Sequence, residues 1–285
     1  MPELPEVETI ARGLAKRVAG DVIESVWIGS RKQPLKTPAV VIAATLEGKR
    51  IVRVHRAGKH IVFDLEREAR PKKGNRAPRG KMKQAAPTAQ WIVHLGMTGS
   101  MIVSEPAADI AKHTHLIAKL ASGRELRFID PRMFGKLSIH PGGFDPGGVE
   151  PLEVSEERFA ELFRGRKTPI KSALLNQKLL RGVGNIYADE SLFRAGIRPR
   201  RRAATITRER LGKLHAAVRE VLREAIELGG SSISDYVDAD GEAGFFQLQH
   251  RVYSREGEPC LVCGTAIRRV VLAGRSSHYC SNCQK

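Results

Sequence analysis

Four cysteines stand within the last 26 residues of this 285-residue chain, as Cys260, Cys263, Cys280 and Cys283, and it has no others. Their pattern is C-x2-C, then 16 residues, then C-x2-C. Two matched pairs at that spacing supply what two knuckles need to close four thiolates around one tetrahedral zinc ion. The intervening stretch, Gly264 to Tyr279, reads as a short β-ribbon that returns the second knuckle to the first. Buried free thiols or a redox pair leave the matched spacing unexplained, and a reducing compartment argues against two disulfides. A catalytic zinc keeps one position open, whereas four cysteines fill the coordination sphere. The sequence therefore predicts one structural Zn2+ and no metal chemistry.

The chain carries 48 Lys+Arg against 31 Asp+Glu, a formal net charge of +17. That excess excludes an ordinary metabolic enzyme as the default. It favours a polyanionic partner, nucleic acid before an anionic membrane surface. No apolar run approaches the ~18 residues of a transmembrane helix. The acidic opening Met1-Pro2-Glu3-Leu4-Pro5-Glu6 is unlike a basic signal peptide. The expectation is a cytoplasmic, nucleoid-associated protein with no membrane partner.

At about 150 residues per domain, the length suggests two domains and an appendage. Val7, Ile10, Leu14 and Val18 recur at helical spacing; Pro5 suits the first turn, Glu6 and Glu8 favour its positive end, and Gly20 stops it. From about Asp21 to His140 the pattern is strand-like, with a corner at Ala57-Gly58-Lys59 and apolar runs such as Trp91-Ile92-Val93 and Met101-Ile102-Val103. One helix followed by several strands predicts an antiparallel β-sandwich over 1–139. Residues 66–84, with eight Lys/Arg against two Glu, read as a disordered loop or arm inserted between strands. A Gly/Pro-rich linker occupies 140–151, a helical domain 152–247 and the zinc finger 248–285. The fold class is α+β and multidomain.

The extreme N-terminus offers chemistry. Removal of Met1 would leave Pro2 as a secondary amine, and α-amino groups titrate at about 7.7–8.0. Such an amine can form an iminium with an aldehyde-level carbon, and Glu3 and Glu6 are placed to shuttle protons or stabilise a cation. On this segment alone the plainer alternative is the better one: Pro2 and Pro5 start a helix, and the two glutamates are favourable first-turn charges.

Five ordered motifs resemble the bacterial formamidopyrimidine-DNA glycosylase family, across almost the whole chain. They are Pro2-Glu3-Leu4-Pro5-Glu6-Val7-Glu8-Thr9, His94-Leu95-Gly96-Met97-Thr98-Gly99, Asp130-Pro131-Arg132-Met133-Phe134-Gly135, the run Gly182 to Glu190, and Gly274 to Cys280. The resemblance implies a bifunctional DNA glycosylase/AP lyase of base excision repair. Such an enzyme acts as a monomer on double-stranded DNA containing oxidised purines or abasic sites and cleaves by β,δ-elimination. It further implies Pro2 as the nucleophile at C1′, Glu3 as the acid/base for sugar-ring opening, Glu6 as a supporting carboxylate and Lys59 as a phosphate-binding lysine. Met97, Arg132 and Phe134 would fill the space left by an everted nucleotide, where apolar wedges and an arginine offset the cost of unstacking. His94, Lys171, Asn185 and Arg275 would contact DNA, with Asn185 read at a helix N-cap after a glycine turn in a helix–two-turn–helix motif. Residues Ser231 to Phe246 correspond to a lesion-capping loop. Met133 departs from the family pattern, where a basic residue is more usual. A sister enzyme for oxidised pyrimidines, of the endonuclease VIII type, shares Pro2-Glu3, but Leu4 and the Met97 and Arg132/Phe134 motifs favour purine lesions. A non-catalytic zinc-ribbon binder of nucleic acid accounts for charge and cysteines and leaves the N-terminal signature unexplained.

Overall fold

A computed structural model describes residues 1–31, 33–67, 88–232, 239 and 244–285. The chain divides into two compact units: Met1–Pro2, Val7–Asp145 and Tyr236–Glu242 form the first, and Glu3–Glu6, Pro146–Asp235 and Ala243–Lys285 the second.

The opening helix, α1 (Leu4–Val18), forms as its spacing predicts. Val7, Ile10, Ala11, Leu14 and Val18 are buried on one face, acidic Glu6 lies in the first turn, and Lys16 and Arg17 complement the dipole in the last. Gly20, at φ +90°, ends it. In the first unit β1 (Val22–Ile28) leads to α2 (Ala39–Leu46), β2 (Lys49–Ala57), β3 (His60–Arg67), β4 (Ala89–His94), β5 (Ser100–Ser104), β6 (Thr114–Leu120), β7 (Glu125–Ile129) and β8 (Lys136–His140). These strands pair antiparallel as one continuous ladder in the order β5-β7-β6-β1-β2-β3-β4-β8. Register shifts at Ile23/Ser25, Ile51/Arg53 and Thr114/Leu116 mark irregularities of the kind that bend strands. Each of the eight strands gives inward residues to one core, in which Phe63 stacks on Trp91 with centroids 4.7 Å apart. On the opposite face Ala57, Val62 and Ile92 make a smaller cluster, covered by Phe144 from the Gly/Pro segment.

Two expectations change here. Helix α2 falls within the stretch read as strand-like, because Val40-Val41-Ile42 is a β-branched run of high strand propensity. Tertiary packing overrides it: Ile42 and Leu46, one turn apart, are buried while Val40 is 78% exposed. The basic segment also begins later than its composition suggests. Glu66 and Arg67 extend β3, paired with Arg50 and Lys49, and the remainder, 68–84, lies outside the described residues.

The second unit is helical. Ser155 caps α3 (Glu156–Phe163) by accepting from the Arg158 amide, and Thr207 caps α6 (Arg208–Glu227) by accepting from that of Arg210. Between them lie α4 (Ile170–Leu174) and α5 (Asn185–Arg194). Phe159, Phe163, Tyr187, Leu214, Val218, Val221 and Phe246 share one core with Leu4. After it comes a hairpin of β9 (Arg268–Leu272) and β10 (Arg275–Tyr279), turned through Ala273 and Gly274, both at positive φ. Among the described residues no helix is long and apolar enough to cross a membrane.

Candidate active site

In the second unit the Glu3 side chain reaches the start of α5. Its Oε1 accepts from the Ile186 amide at 3.3 Å, where unpaired N–H groups and the helix dipole favour an anion. A Cβ on Gly184 would lie 2.1 Å from the Glu3 carboxyl carbon, so only glycine admits the carboxylate there. Gly184 rather than Asn185 therefore takes the N-cap position, and Asn185 is the first helical residue, one step later than the sequence suggests. The preceding turn is closed by Gln177, whose amide accepts from the Gly182 N–H and donates to the Val183 carbonyl, both at 2.8 Å.

Glu6 is buried beneath Glu3. Its Oε2 accepts from the Glu3 backbone amide at 2.7 Å, and its Oε1 accepts from the Ser231 amide at 2.8 Å and from the Tyr187 hydroxyl. Burial pushes the Glu6 pKa upward, and these donors pull it back. Glu6 thus fixes the peptide that joins Pro2 to Glu3. Pro2 itself is buried.

Lys171 requires a correction. Expected at a DNA phosphate, it is 1% exposed, its ammonium 2.7 Å from Asp189 Oδ1 and donating to the Ser276 carbonyl at 2.5 Å. Burial lowers its pKa while Asp189 raises it. Desolvating an ammonium costs several kcal/mol unless it is paired, and here the pair ties α4 to α5 and β10. Asn185 is half-buried and donates to Ser276 Oγ at 3.2 Å, whereas Arg275 stands exposed at the start of β10. Asp189 also accepts from the His278 amide at 2.9 Å, and Glu190 accepts from the amides of Arg251, Val252 and Tyr253 at 2.8–3.0 Å. These two carboxylates anchor the finger to α5. Sequence reading missed them; two adjacent acids inside an otherwise apolar helix face were the available signal.

The finger brings the four cysteines together, their sulfurs all within 4.8 Å of one another. Cys260 and Cys283 are 3.9 Å apart and Cys263 and Cys280 3.5 Å. Tetrahedral zinc with Zn–S bonds of about 2.3 Å sets sulfurs about 3.8 Å apart, so one zinc ion fits, and its role is structural.

In the first unit Met97 and Phe134 are 39% and 53% exposed, where their chemistry alone suggests core. The exposed Arg132 guanidinium lies 5.1 Å from the Phe134 ring centroid, a cation–π contact. Beneath them Asp130 is fully buried. Its Oδ1 accepts from the Thr98 hydroxyl at 2.7 Å and the Arg132 amide at 3.3 Å, and its Oδ2 from the Gly135 amide at 2.7 Å. Thr98 belongs to the Met97 loop, so one carboxylate ties the two exposed loops together. Gly96, at φ +69°, packs so tightly that a Cβ would meet Phe134 and Gly135 backbone at 2.5 Å. Asp130 is a further residue that sequence reading left out.

Lys59 occupies the β2–β3 turn, and His94 ends β4. His94 Nδ1 accepts from the Gly96 amide at 3.0 Å, which leaves Nε2 as the protonated, donating nitrogen. Burial, with lesser repulsion from His60, Lys136 and Lys59, holds the His94 pKa down at about 4. Residues 233–238 and 240–243 of the expected lesion-capping loop lie outside the described residues.

Comparison with known proteins matches three segments of the chain. Residues 1–137 match the formamidopyrimidine-DNA glycosylase N-terminal domain, 148–237 its H2TH domain, and 257–285 the zinc finger found in FPG and IleRS. A formamidopyrimidine-DNA glycosylase of Solibacter usitatus is 46% identical over 288 residues, covering 100% of both chains. The crystal structure of MutM (FPG) protein from Thermus thermophilus superposes with a TM-score of 0.82 at 39% identity, covering 99% of this chain and 98% of that one. A mutant Lactococcus lactis FPG, solved with a Fapy-dG containing DNA, gives a TM-score of 0.85 at 32% identity with both chains fully covered. The chain belongs to the formamidopyrimidine-DNA glycosylase family, the DNA glycosylases of base excision repair.

Proposed function

We propose that this chain is a bifunctional DNA glycosylase/AP lyase that excises oxidised purines, 8-oxoguanine and formamidopyrimidines, from double-stranded DNA. With Met1 removed, the Pro2 amine attacks C1′, the bond from C1′ to the base breaks, and the base leaves. Glu3 delivers a proton to the opening sugar ring, and the resulting iminium on Pro2 carries the strand through β- and δ-elimination before hydrolysis releases the enzyme. The observation that carries this reading is the Glu3 carboxylate, fixed at the start of α5 and adjacent in sequence to Pro2, with Glu6 gripping the peptide between them.

In this reading Met97, Arg132 and Phe134 enter the duplex and fill the vacated stack, and their exposure supports it. Lys59, His94, Asn185 and Arg275 hold phosphates, while Lys171 acts from within by bracing α5 and β10. The zinc, when bound, keeps Arg275 in register on its hairpin. Residues 1–139, 152–247 and 248–285 serve as catalytic, helix–two-turn–helix and finger domains, joined by the 140–151 linker. The enzyme works as a monomer on nucleoid DNA in the cytoplasm.

Borohydride trapping on an 8-oxoguanine:cytosine duplex tests the chemistry. Protein lacking Met1 should give a covalent adduct, Pro2→Gly should trap far less, and protein whose mass includes Met1 should trap none. Full trapping with Met1 retained would remove Pro2 from the role. Stronger trapping on thymine glycol than on 8-oxoguanine would shift the substrate to oxidised pyrimidines.

A further inference from the structure

The loop leaving β1 holds a guanidinium that the roles above do not use. Arg31 is exposed, and its Nη1 lies 3.6 Å from the Met133 sulfur, between the positions of Arg132 and Phe134 in the sequence. Thioether sulfur is a weak acceptor, so this contact orients the guanidinium without neutralising it. Among the described residues Arg31 has no carboxylate partner within ion-pair distance. The loop is pinned on both sides of it. The Gly29 amide donates to the His115 carbonyl at 3.0 Å; beyond it, the Leu137 amide donates to the Pro34 carbonyl at 2.7 Å and the Lys36 amide to the Leu137 carbonyl at 2.8 Å. Leu137 lies in β8, which begins directly after the Asp130–Gly135 loop. Arg31 is thereby carried on the same framework as the exposed wedge.

Met133 sits at φ +57°, a conformation that non-glycine residues rarely adopt. A flexible thioether there can accept the incoming arginine.

We propose that Arg31 is a DNA-phosphate-binding residue of the wedge, docked on Met133. The inference rests on the reading that Met97, Arg132 and Phe134 face DNA. A guanidinium with five donors and, among the described residues, no competing carboxylate is suited to a phosphate, by charge and by its fork geometry.

Each phosphate neutralised steepens the dependence of log affinity on log salt by about 0.9. The test is equilibrium binding of a duplex containing a tetrahydrofuran abasic analogue between 50 and 200 mM salt, with unsubstituted protein, Arg31→Gln and Arg31→Lys. Arg31→Gln should flatten the slope by about 0.9, so that the affinity ratio across this range shrinks about 3.5-fold. Arg31→Lys should keep the slope because it keeps the charge. A slope for Arg31→Gln equal to that of the unsubstituted protein overturns the proposal. So does equal flattening by Gln and Lys, which would trace the loss to the sulfur contact and not to charge. Failure of the unsubstituted protein to bind the duplex at all would instead overturn the glycosylase reading on which this one stands.

Discussion

In the first unit the side chains directed outward are Met97, Arg132 and Phe134, and the buried group beneath them is Asp130. In the second unit the buried groups, Glu3 and Glu6, are themselves the proposed chemistry. The contrast follows from what each set must do. A wedge works by being exposed, so its own side chains gain little from packing, and position has to come from the backbone that a buried carboxylate holds. A proton-transferring carboxylate works by having a defined position and pKa, so it is enclosed, and the neighbouring chain must make room for it. Gly184 gives that room to Glu3, while Gly96 lets two backbones approach under the wedge and Gly135 leaves space for the Phe128 ring and the Asp130 carboxylate.

The largest difference concerns what holds each unit together. The first unit has a core to which eight strands contribute, whereas the end of the second has a five-residue cluster built around Phe193, Val252 and Ile267 with Cys260 and Cys280. So small a core makes the metal the main source of stability; structural zinc in finger peptides is worth about 10–16 kcal/mol. Cys280→Ser should therefore release zinc and abolish amide-exchange protection over 257–285, leaving protection in β3 and β4 intact. DNA affinity should fall at least about tenfold as Arg275 loses its scaffold. Retained protection of the finger in zinc-free protein would break the comparison.

Next come the two glycines, which should fail in different currencies. Gly184→Ala collides with the Glu3 side chain, 2.1 Å from its carboxyl carbon, and a side chain can swing away. Stability should drop by only about 1–2 kcal/mol. Excision should slow about 100-fold, because misplacing a catalytic group by about 1 Å costs that much. Gly96→Ala collides with backbone at 2.5 Å and must hold φ +69°. Its cost should appear chiefly as about 3 kcal/mol of stability. Denaturant midpoints paired with single-turnover excision rates decide it. A Gly184→Ala enzyme that loses more stability than Gly96→Ala would erase the distinction.

The same contrast explains what could be read from the sequence. The cysteine knuckles were legible because zinc fixes both residue type and spacing, and α1 was legible because its apolar residues keep one period. Glu3 beside Pro2 was not legible alone, since the same residues suit a plain helix start; only the resemblance gave it a role. Asp130, Asp189 and Glu190 were not legible either, since a carboxylate that caps loop amides has no spacing rule; its donors are assembled only when the chain folds. Lys171 is a related case: the resemblance placed it at a phosphate, and only the fold brings Asp189 to it. Asn185 was displaced by one position because Gly184 had to stay without a side chain for Glu3. Helix α2 was hidden by β-branched residues whose propensity the packing of Ile42 and Leu46 overrules.

The smallest expected effect separates the units by how they suppress a histidine charge. His94 in the first unit and His250 in the second both have their pKa lowered to about 4. In the unfolded chain each returns to about 6.5 and takes up a proton first. Stability from either group is therefore complete above pH 6.5 and drains away as pH falls toward 4, by about 2 kcal/mol at pH 5. Glu6 and Glu190, raised by burial, run the other way: their contribution favours the folded state at low pH and is lost as pH rises through their raised values. Replacing one histidine while keeping both glutamates isolates its share, so His250→Phe and His94→Phe should each flatten the decline between pH 7 and pH 5 in urea titrations. They should differ in salt. The His250 shift comes from burial beside Phe246 and Tyr253 alone. That of His94 includes repulsion from His60, Lys136 and Lys59. Raising ionic strength screens repulsion and leaves desolvation in place, so the His94 contribution should shrink in 0.5 M salt while that of His250 holds. Equal salt sensitivity of the two would mean that His94, too, is governed by burial alone.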